Sequence, residues 1–274
     1  MKPPVQRLNP VWLVVWIISL VPMTATGQDK GMPESFTYSS GAIVRGIPTE
    51  KNIALVFTGD LFGEGLDQIS TVLEQHEIRA SFFLTGNFYR EDRFEVFIDK
   101  LLAGGHYLGG HSDRHLLYCD WVKRDSLLVT REQFISDLEN NYREMERFGI
   151  HKADAQYFLP PYEWYNDSIA AWAHSWGLQL VNYTPGTLSH ADYTVPGSAG
   201  YRSSADILHS ILSYEASAGE GLNGFLLLMH TGSAPERSDR FYPLLGTLVD
   251  SLSSRGYQFL TVPELLAPPE LIAR

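Results

Sequence analysis

The chain has a single cysteine, Cys119, among its 274 residues. It can form no intrachain disulfide, which excludes a small covalently stapled scaffold and leaves the fold to rest on packing. Leu117, Tyr118 and Trp121 lie around it in sequence, so it is expected as a buried structural thiol. Positive charge is also scarce, with 21 Lys and Arg against 32 Asp and Glu and a formal charge of -11. A surface that tracks phosphates needs clustered cations, so nucleic acid is not expected as a partner. The chain also lacks a fixed-period repeat and any low-complexity tract, which excludes solenoids and disordered arrays. What it has in quantity is apolar residues, 44% hydrophobic with 12% aromatic, enough for the core of one large domain.

Long apolar runs are missing too. The run from Val11 to Met23 is shorter than a spanning helix needs and meets Pro22 near its end. Basic Lys2 and Arg7 precede it and the small residues Ala25, Thr26 and Gly27 follow. That three-part layout predicts a secretory signal over residues 1–27, with no stable membrane anchor after cleavage and export to a periplasm or the medium. No cysteine follows the run, so a lipid anchor is not expected. Residues 28–46 are polar and rich in Gly, Ser and Pro and are expected as a lead-in. The domain proper is expected over residues 47–274.

Within that domain, short apolar runs alternate with amphipathic stretches. Strands are predicted at Ile53 to Phe57, Ala80 to Leu84, Tyr107 to Gly110, Gln156 to Leu159, Leu178 to Asn182, Gly224 to His230 and Tyr257 to Leu260. Between them, Leu66, Ile69 and Leu73 fall at helical spacing, and Thr130 reads as the cap of a long helix that stops at Gly149. Alternation of this kind implies parallel strands with helices outside, an α/β barrel of about seven or eight strands. In such a barrel the loops after the strands gather at one end and carry the chemistry.

At that end the sequence places LGGHSDRH, where His111 and His115 follow two glycines. Two imidazoles four residues apart can converge on one ion, and neutral ring nitrogens suit zinc and similar divalent metals. Asp60, Glu64, Pro160 to Trp164 and His230 belong to the same group of loops.

The ordered segments ALVFTGD (Ala54 to Asp60), SFFLTG (Ser81 to Gly86), GGHSDRH (Gly109 to His115), FLPPY (Phe158 to Tyr162) and LLLMHTG (Leu226 to Gly232) resemble the polysaccharide deacetylases. These are NodB-homology enzymes of carbohydrate esterase family four. The resemblance spans roughly Asn52 to Leu266. It implies a distorted (β/α)7 barrel, one divalent metal ion, zinc in the first instance, and removal of acetyl groups from N- or O-acetylated carbohydrate. It also implies that His111 and His115 are metal ligands and that His230 is the general acid.

Two departures occur together. The family's first motif, T-F-D-D, carries the base and then a metal ligand, but the ungapped match here is Val56, Phe57, Thr58 and Gly59. The family's arginine before the two prolines, which pairs with the base, is Leu159. Losing both avoids leaving one charge buried alone, which costs about 3 to 5 kcal/mol. Asp60, one residue beyond the usual ligand position, is the expected third ligand. For the base, Glu64 and Glu163 are the leading candidates and Asp113 a third. Tyr162, Trp164, Tyr165 and Trp121 offer aromatic faces for a sugar ring, and whether Asp192 supports His230 stays open at this stage. The competing expectation is a non-catalytic carbohydrate-binding protein on the same fold, favoured by the missing carboxylates as retention of His230 favours the enzyme.

Overall fold

The computed structural model describes residues 36–267. The predicted export signal lies outside those residues. No helix among the described residues is long and apolar enough to cross a membrane.

The chain opens with β1 (Thr37–Ser39) and β2 (Ala42–Arg45), then alternates: β3 (Asn52–Gly59), α1 (Leu66–Gln75), β4 (Ser81–Leu84), α2 (Gly86–Tyr89), α3 (Asp92–Ala103) and β5 (Tyr107–Gly110). It continues with α4 (Arg131–Glu146), β6 (Tyr157–Phe158), α5 (Asp167–Ser175), β7 (Gln179–Leu180), α6 (Ser204–Ser217), β8 (Phe225–His230), α7 (Leu245–Ser253), β9 (Gln258–Phe259) and α8 (Val262–Leu265). One sheet holds all nine strands in the order β1-β2-β8-β3-β4-β5-β6-β7, with β9 on β3. The pairings from β3 to β9 are parallel, as the alternation predicted, and β2 returns antiparallel to β8. The sheet curls until Ile43 bridges Val181 beyond β7, so the expected barrel is present in distorted form.

The lead-in needs correction. Residues 37–45 form a hairpin in the sheet, turned at Ser40 and Gly41, which both take positive φ. Ala42 and Val44 bury their side chains with the main core, and Tyr165 donates its hydroxyl to the Ser39 carbonyl at 2.9 Å. Strands of three and four residues are too short to give a readable period, which is why composition alone suggested a loop.

Strand alternation decides what reaches the barrel interior. In β3, Ile53, Leu55 and Phe57 face the helical layer, whereas Ala54 and Val56 face inward. In β8, Phe225, Leu227 and Met229 face the helices and Leu226 and Leu228 face inward. With a period of two, the next inward positions are Thr58 and His230, and the two are register partners. Glycines make room where strands and helices crowd: a Cβ on Gly109 would lie 2.6 Å from the Phe83 ring and one on Gly110 2.9 Å from Tyr142. Helix α4 opens with the capping box of Thr130 and Gln133 and buries Asn141. Asn141 accepts from the His111 amide at 3.0 Å and donates to the Leu84 carbonyl at 3.2 Å, stitching the ends of β4 and β5.

Candidate active site

A cavity of about 590 Å³ opens at the carboxyl ends of β3, β5 and β8. His111, His115 and His230 line it together with Thr58, Asp60, Tyr162 and Glu163. Leu61 and Phe62 also line it, as do Tyr193, Thr194, Val195, Ser198 and Gly200 from the loop after β7.

His111 continues β5 and is buried. Its Nδ1–H donates to the Leu159 carbonyl at 2.7 Å, which fixes the tautomer and leaves Nε2 free for the cavity. Burial, then the neighbouring His115, holds its pKa well below the ordinary histidine value. The His115 ring lies 5.1 Å from it, on a residue with φ of 54°. Burial lowers His115 too, and the nearby Asp60 charge opposes that. The loop between the two histidines is tied down by Asp137, which accepts from the Arg114 amide at 3.2 Å and the Tyr118 hydroxyl at 2.7 Å.

This pair suits a divalent ion: two neutral imidazoles, one braced by a carbonyl in the manner of metal-bound histidines. Asp60 lines the same cavity, and its charge reaches His115. Its Oδ1 accepts from Thr85 Oγ1 at 2.9 Å and Asn87 Nδ2 at 3.0 Å. Among the described residues no three His, Cys, Asp or Glu side chains form a ready metal cluster. The donor set therefore fits a metal at two positions, with one oxygen of the expected third carboxylate taken up by Thr85 and Asn87.

His230 ends β8. Its Nδ1–H donates to Asp192 Oδ1 at 2.6 Å, and its backbone N–H donates to Asp192 Oδ2 at 2.9 Å. Burial works against the charged ring, but the Asp192 charge and hydrogen bond, with Glu163 beyond, lift His230 above its ordinary pKa. Tyr193 tilts over the ring at 4.7 Å between centroids. Asp192, left open by the sequence, is thus the orienting partner of the histidine.

The three candidate bases sit in three different settings. Glu64 accepts from the Ser233 amide at 2.8 Å and pairs with Arg240 at 2.7 Å, packed behind Gly232 and away from the cavity. Asp113 is buried against Arg90 at 2.5 Å and Arg114 at 3.0 Å, behind Gly86. Glu163 lines the cavity, and among the described residues its carboxylate takes no hydrogen bond from the protein. Burial pushes its pKa to about 7, with the charge of His230 pulling down and that of Asp192 pushing up. Tyr162 and Glu163 both adopt left-handed backbone, φ 60° and 54°, in the turn after Pro160 and Pro161. For residues with side chains such conformations cost about 1 to 3 kcal/mol each and persist where surrounding structure enforces them.

That turn lays Tyr162 on His115 at 4.4 Å, with Trp121 edge-on to Tyr162 at 5.5 Å. Both aromatics are substantially exposed, at 43% and 53%. The other two aromatic candidates are not among the cavity lining, although the Trp164 ring lies 5.6 Å from that of Trp121. Trp164 donates Nε1–H to the Asp120 carbonyl under the Arg124 guanidinium, and Tyr165 is buried against β1.

Thr58 has its hydroxyl buried in the cavity floor without a partner. Gly59 is closely packed: a Cβ there would lie 2.7 Å from Thr231 Oγ1 and 2.9 Å from Leu84, so those side chains would have to shift. Sequence reasoning missed Tyr193, Thr194, Val195 and Ser198, which line the cavity. They follow β7, so the rule that gathers post-strand loops could have reached them had it been carried past Asn182.

The polysaccharide deacetylase model matches residues 45–181, and the chain belongs to that family. The peptidoglycan-N-acetylglucosamine deacetylase of Bacillus cereus is 25% identical over 219 residues, 79% of this chain and 89% of its own length. The solved structure of PdaA of Bacillus subtilis, a family four carbohydrate esterase, has a TM-score of 0.63 at 20% identity, over 82% of this chain and 85% of that one. A family four pseudoenzyme from Bacillus anthracis has a TM-score of 0.65 at 20% identity, over 84% of this chain and 70% of that one. A mutant of that pseudoenzyme, also solved, has restored enzymatic activity.

Proposed function

We propose that the chain is an exported, metal-dependent deacetylase of N- or O-acetylated carbohydrate in which Glu163 replaces the missing first-motif carboxylate as base. The observation that carries this is the pairing across one cavity of a histidine held by Asp192 with an unpartnered carboxyl group whose pKa lies near neutrality. A general base works best when its pKa is close to the working pH. Glu163 takes a proton from the attacking water, and His230, whose pKa Asp192 raises, gives one to the departing nitrogen or oxygen. Tyr162 and Trp121 offer exposed aromatic faces to the apolar side of a sugar ring.

His111 and His115 would hold a divalent ion, zinc by ligand chemistry, with the Asp60 charge beside them; when bound, such an ion polarises the acetyl carbonyl and acidifies water. The test combines titration of zinc into the purified protein with acetate release from a panel of N-acetylated oligosaccharides and O-acetylated xylan. Metal content should fall in His111→Ala and His115→Ala, and Asp60→Asn reports whether the carboxylate joins. Unchanged metal content in both histidine variants refutes the site. Export is tested by the mass of the mature N-terminus, expected near Gln28.

A second function rests on a specific observation, the absence of carboxylates at Thr58 and Gly59 together with the likeness to a pseudoenzyme. A carbohydrate-binding protein without turnover would bind acetylated glycan in calorimetry and release no acetate with metal fully loaded.

A further inference from the structure

Arg237 is fully buried, and the chemistry above makes no use of it. It lies in the loop after β8, its amide bonded to the carbonyl of the cavity-lining Ala234 at 3.0 Å. Its nearest carboxylate, Asp239, is 4.0 Å away, so the charge has no close counter-ion. The guanidinium is spent instead on neutral acceptors at two places in the loop after β7. Nη1 donates to the Thr194 carbonyl at 2.5 Å, with Thr194 Oγ1 at 3.4 Å, and Nη2 donates to the Arg202 carbonyl at 3.1 Å and Ser204 Oγ at 3.2 Å. Nε finds no partner.

Thr194 and Arg202 are the two ends of a loop whose middle, Val195, Ser198 and Gly200, forms one wall of the cavity. Short turns hold the loop's backbone, Ser198 N to the Val195 carbonyl and Tyr201 N to the Ser198 carbonyl, both 3.1 Å, and the Arg202 amide reaches Thr194 Oγ1 at 3.3 Å. The far end is braced again by Asp239, which accepts from the Ser204 amide at 2.7 Å and the Tyr201 hydroxyl at 3.1 Å. A planar fork with donors in fixed directions can grip two separated carbonyls at once, which a lysine point charge cannot. A buried cation without a close counter-ion is unfavourable for stability, so its use as a staple across this loop needs another account.

We propose that Arg237 is a positioning residue that clamps both ends of the 195–201 loop and so sets the cavity wall formed by Val195, Ser198 and Gly200. Its kinetic consequence rests on the cavity being the catalytic site; its structural consequence rests on the hydrogen bonds alone. Loosening the wall weakens capture of the glycan and leaves the proton-transfer groups on β8 and the Pro-Pro turn in place.

The experiment compares wild type, Arg237→Lys, which keeps the charge and loses the fork, and Asp239→Asn, at a partly exposed position where a fold-wide failure is not at stake. Amide hydrogen exchange is followed at Ser198 and Tyr201, with zinc-loaded turnover of an N-acetylated tetrasaccharide alongside. Exchange at those two amides should quicken about tenfold or more in Arg237→Lys and by a smaller factor in Asp239→Asn, while amides of β3 and β8 keep wild-type rates. KM should rise about tenfold with kcat within about threefold. Unchanged exchange in the loop in both variants overturns the clamp. Faster exchange with kcat and KM falling together, or no change in KM, overturns its role in positioning. If no variant and no wild type turns over any glycan, the catalytic function fails and the positioning role with it, and exchange alone decides the clamp.

Discussion

Glu163→Gln separates what the site costs the fold from what it does. The carboxyl is held near pKa 7 by burial against an ordinary value of 4.5. Between those values the native state keeps a proton that the unfolded chain has released, so stability falls as pH rises through the window. Each pH unit there is worth roughly 1.4 kcal/mol, giving a penalty of up to about 3 kcal/mol once the group is ionised. Glutamine has nearly the same shape and no charge to desolvate, so it removes the penalty at high pH and changes little below pH 4.5. In a domain of this size that is a rise in Tm of roughly 5 to 10 °C at pH 8. Histidines contribute in the opposite and the same sense: burial-lowered His111 and His115 favour the fold as pH climbs to 6.5, and the raised His230 loses its contribution above that. His111 and His115 carry over to the variant, whereas His230 owes part of its raised pKa to Glu163, so the wild-type-minus-variant difference in thermal scans from pH 4 to 9 reads Glu163 together with its coupling to His230. Acetate release should meanwhile drop about a hundredfold or more, as expected for a lost general base. A Tm difference that is flat with pH refutes the electrostatic account, and retained turnover refutes the catalytic one.

Two further outcomes follow from the same geometry. Asp192→Asn removes the charge that raises the His230 pKa while leaving an amide oxygen where the 2.6 Å bond is accepted, so the alkaline limb of the pH–rate profile should move to lower pH, read from kcat between pH 6 and 10. A stationary limb would mean that His230 is not the group titrating there. Glu64→Gln breaks a half-exposed pair with Arg240, so it should cost about 1 kcal/mol or less in a urea melt and leave kcat within a few-fold, marking Glu64 as structural.

The sequence made the strand–helix alternation legible because each long apolar run is bounded by polar or glycine residues, as in β3, β5 and β8. The cluster of His111, His115 and His230 could be named because each stands at or just after the carboxyl end of a strand. What sequence could not rank was Glu64 against Glu163. Both are loop carboxylates, and they are told apart by contacts to Ser233 and Arg240 that lie some 170 residues away. Tyr165 and Trp164 stay out of the cavity lining for a similar reason: neighbours in sequence to Tyr162, they turn to β1 and to Asp120 once the left-handed pair at Tyr162 and Glu163 bends the chain. The Asp192 contact was equally long-range, and only the loop's position after β7 hinted at it.

The altered first motif makes physical sense when the period of the strand is followed through it. Ala54, Val56 and Thr58 share the inner face of β3, and Gly59 points the other way, into Thr231, Leu84 and Phe88. With that outer face closed, a carboxylate cannot occupy Gly59 without displacing two packed side chains, and Asp60 lies beyond the strand end. At the inner position, Thr58 leaves a hydroxyl without a partner, and Leu159 fills the apolar interior where an arginine would have answered a charge. A buried aspartate at 58 facing Leu159 would lack its counter-ion, a loss of about 3 to 5 kcal/mol. On the function proposed above, the base comes instead from the neighbouring Pro-Pro turn. There Glu163 is admitted to the cavity by a strained backbone that no strand has to carry, and it faces the histidine from a position the family motif does not mark.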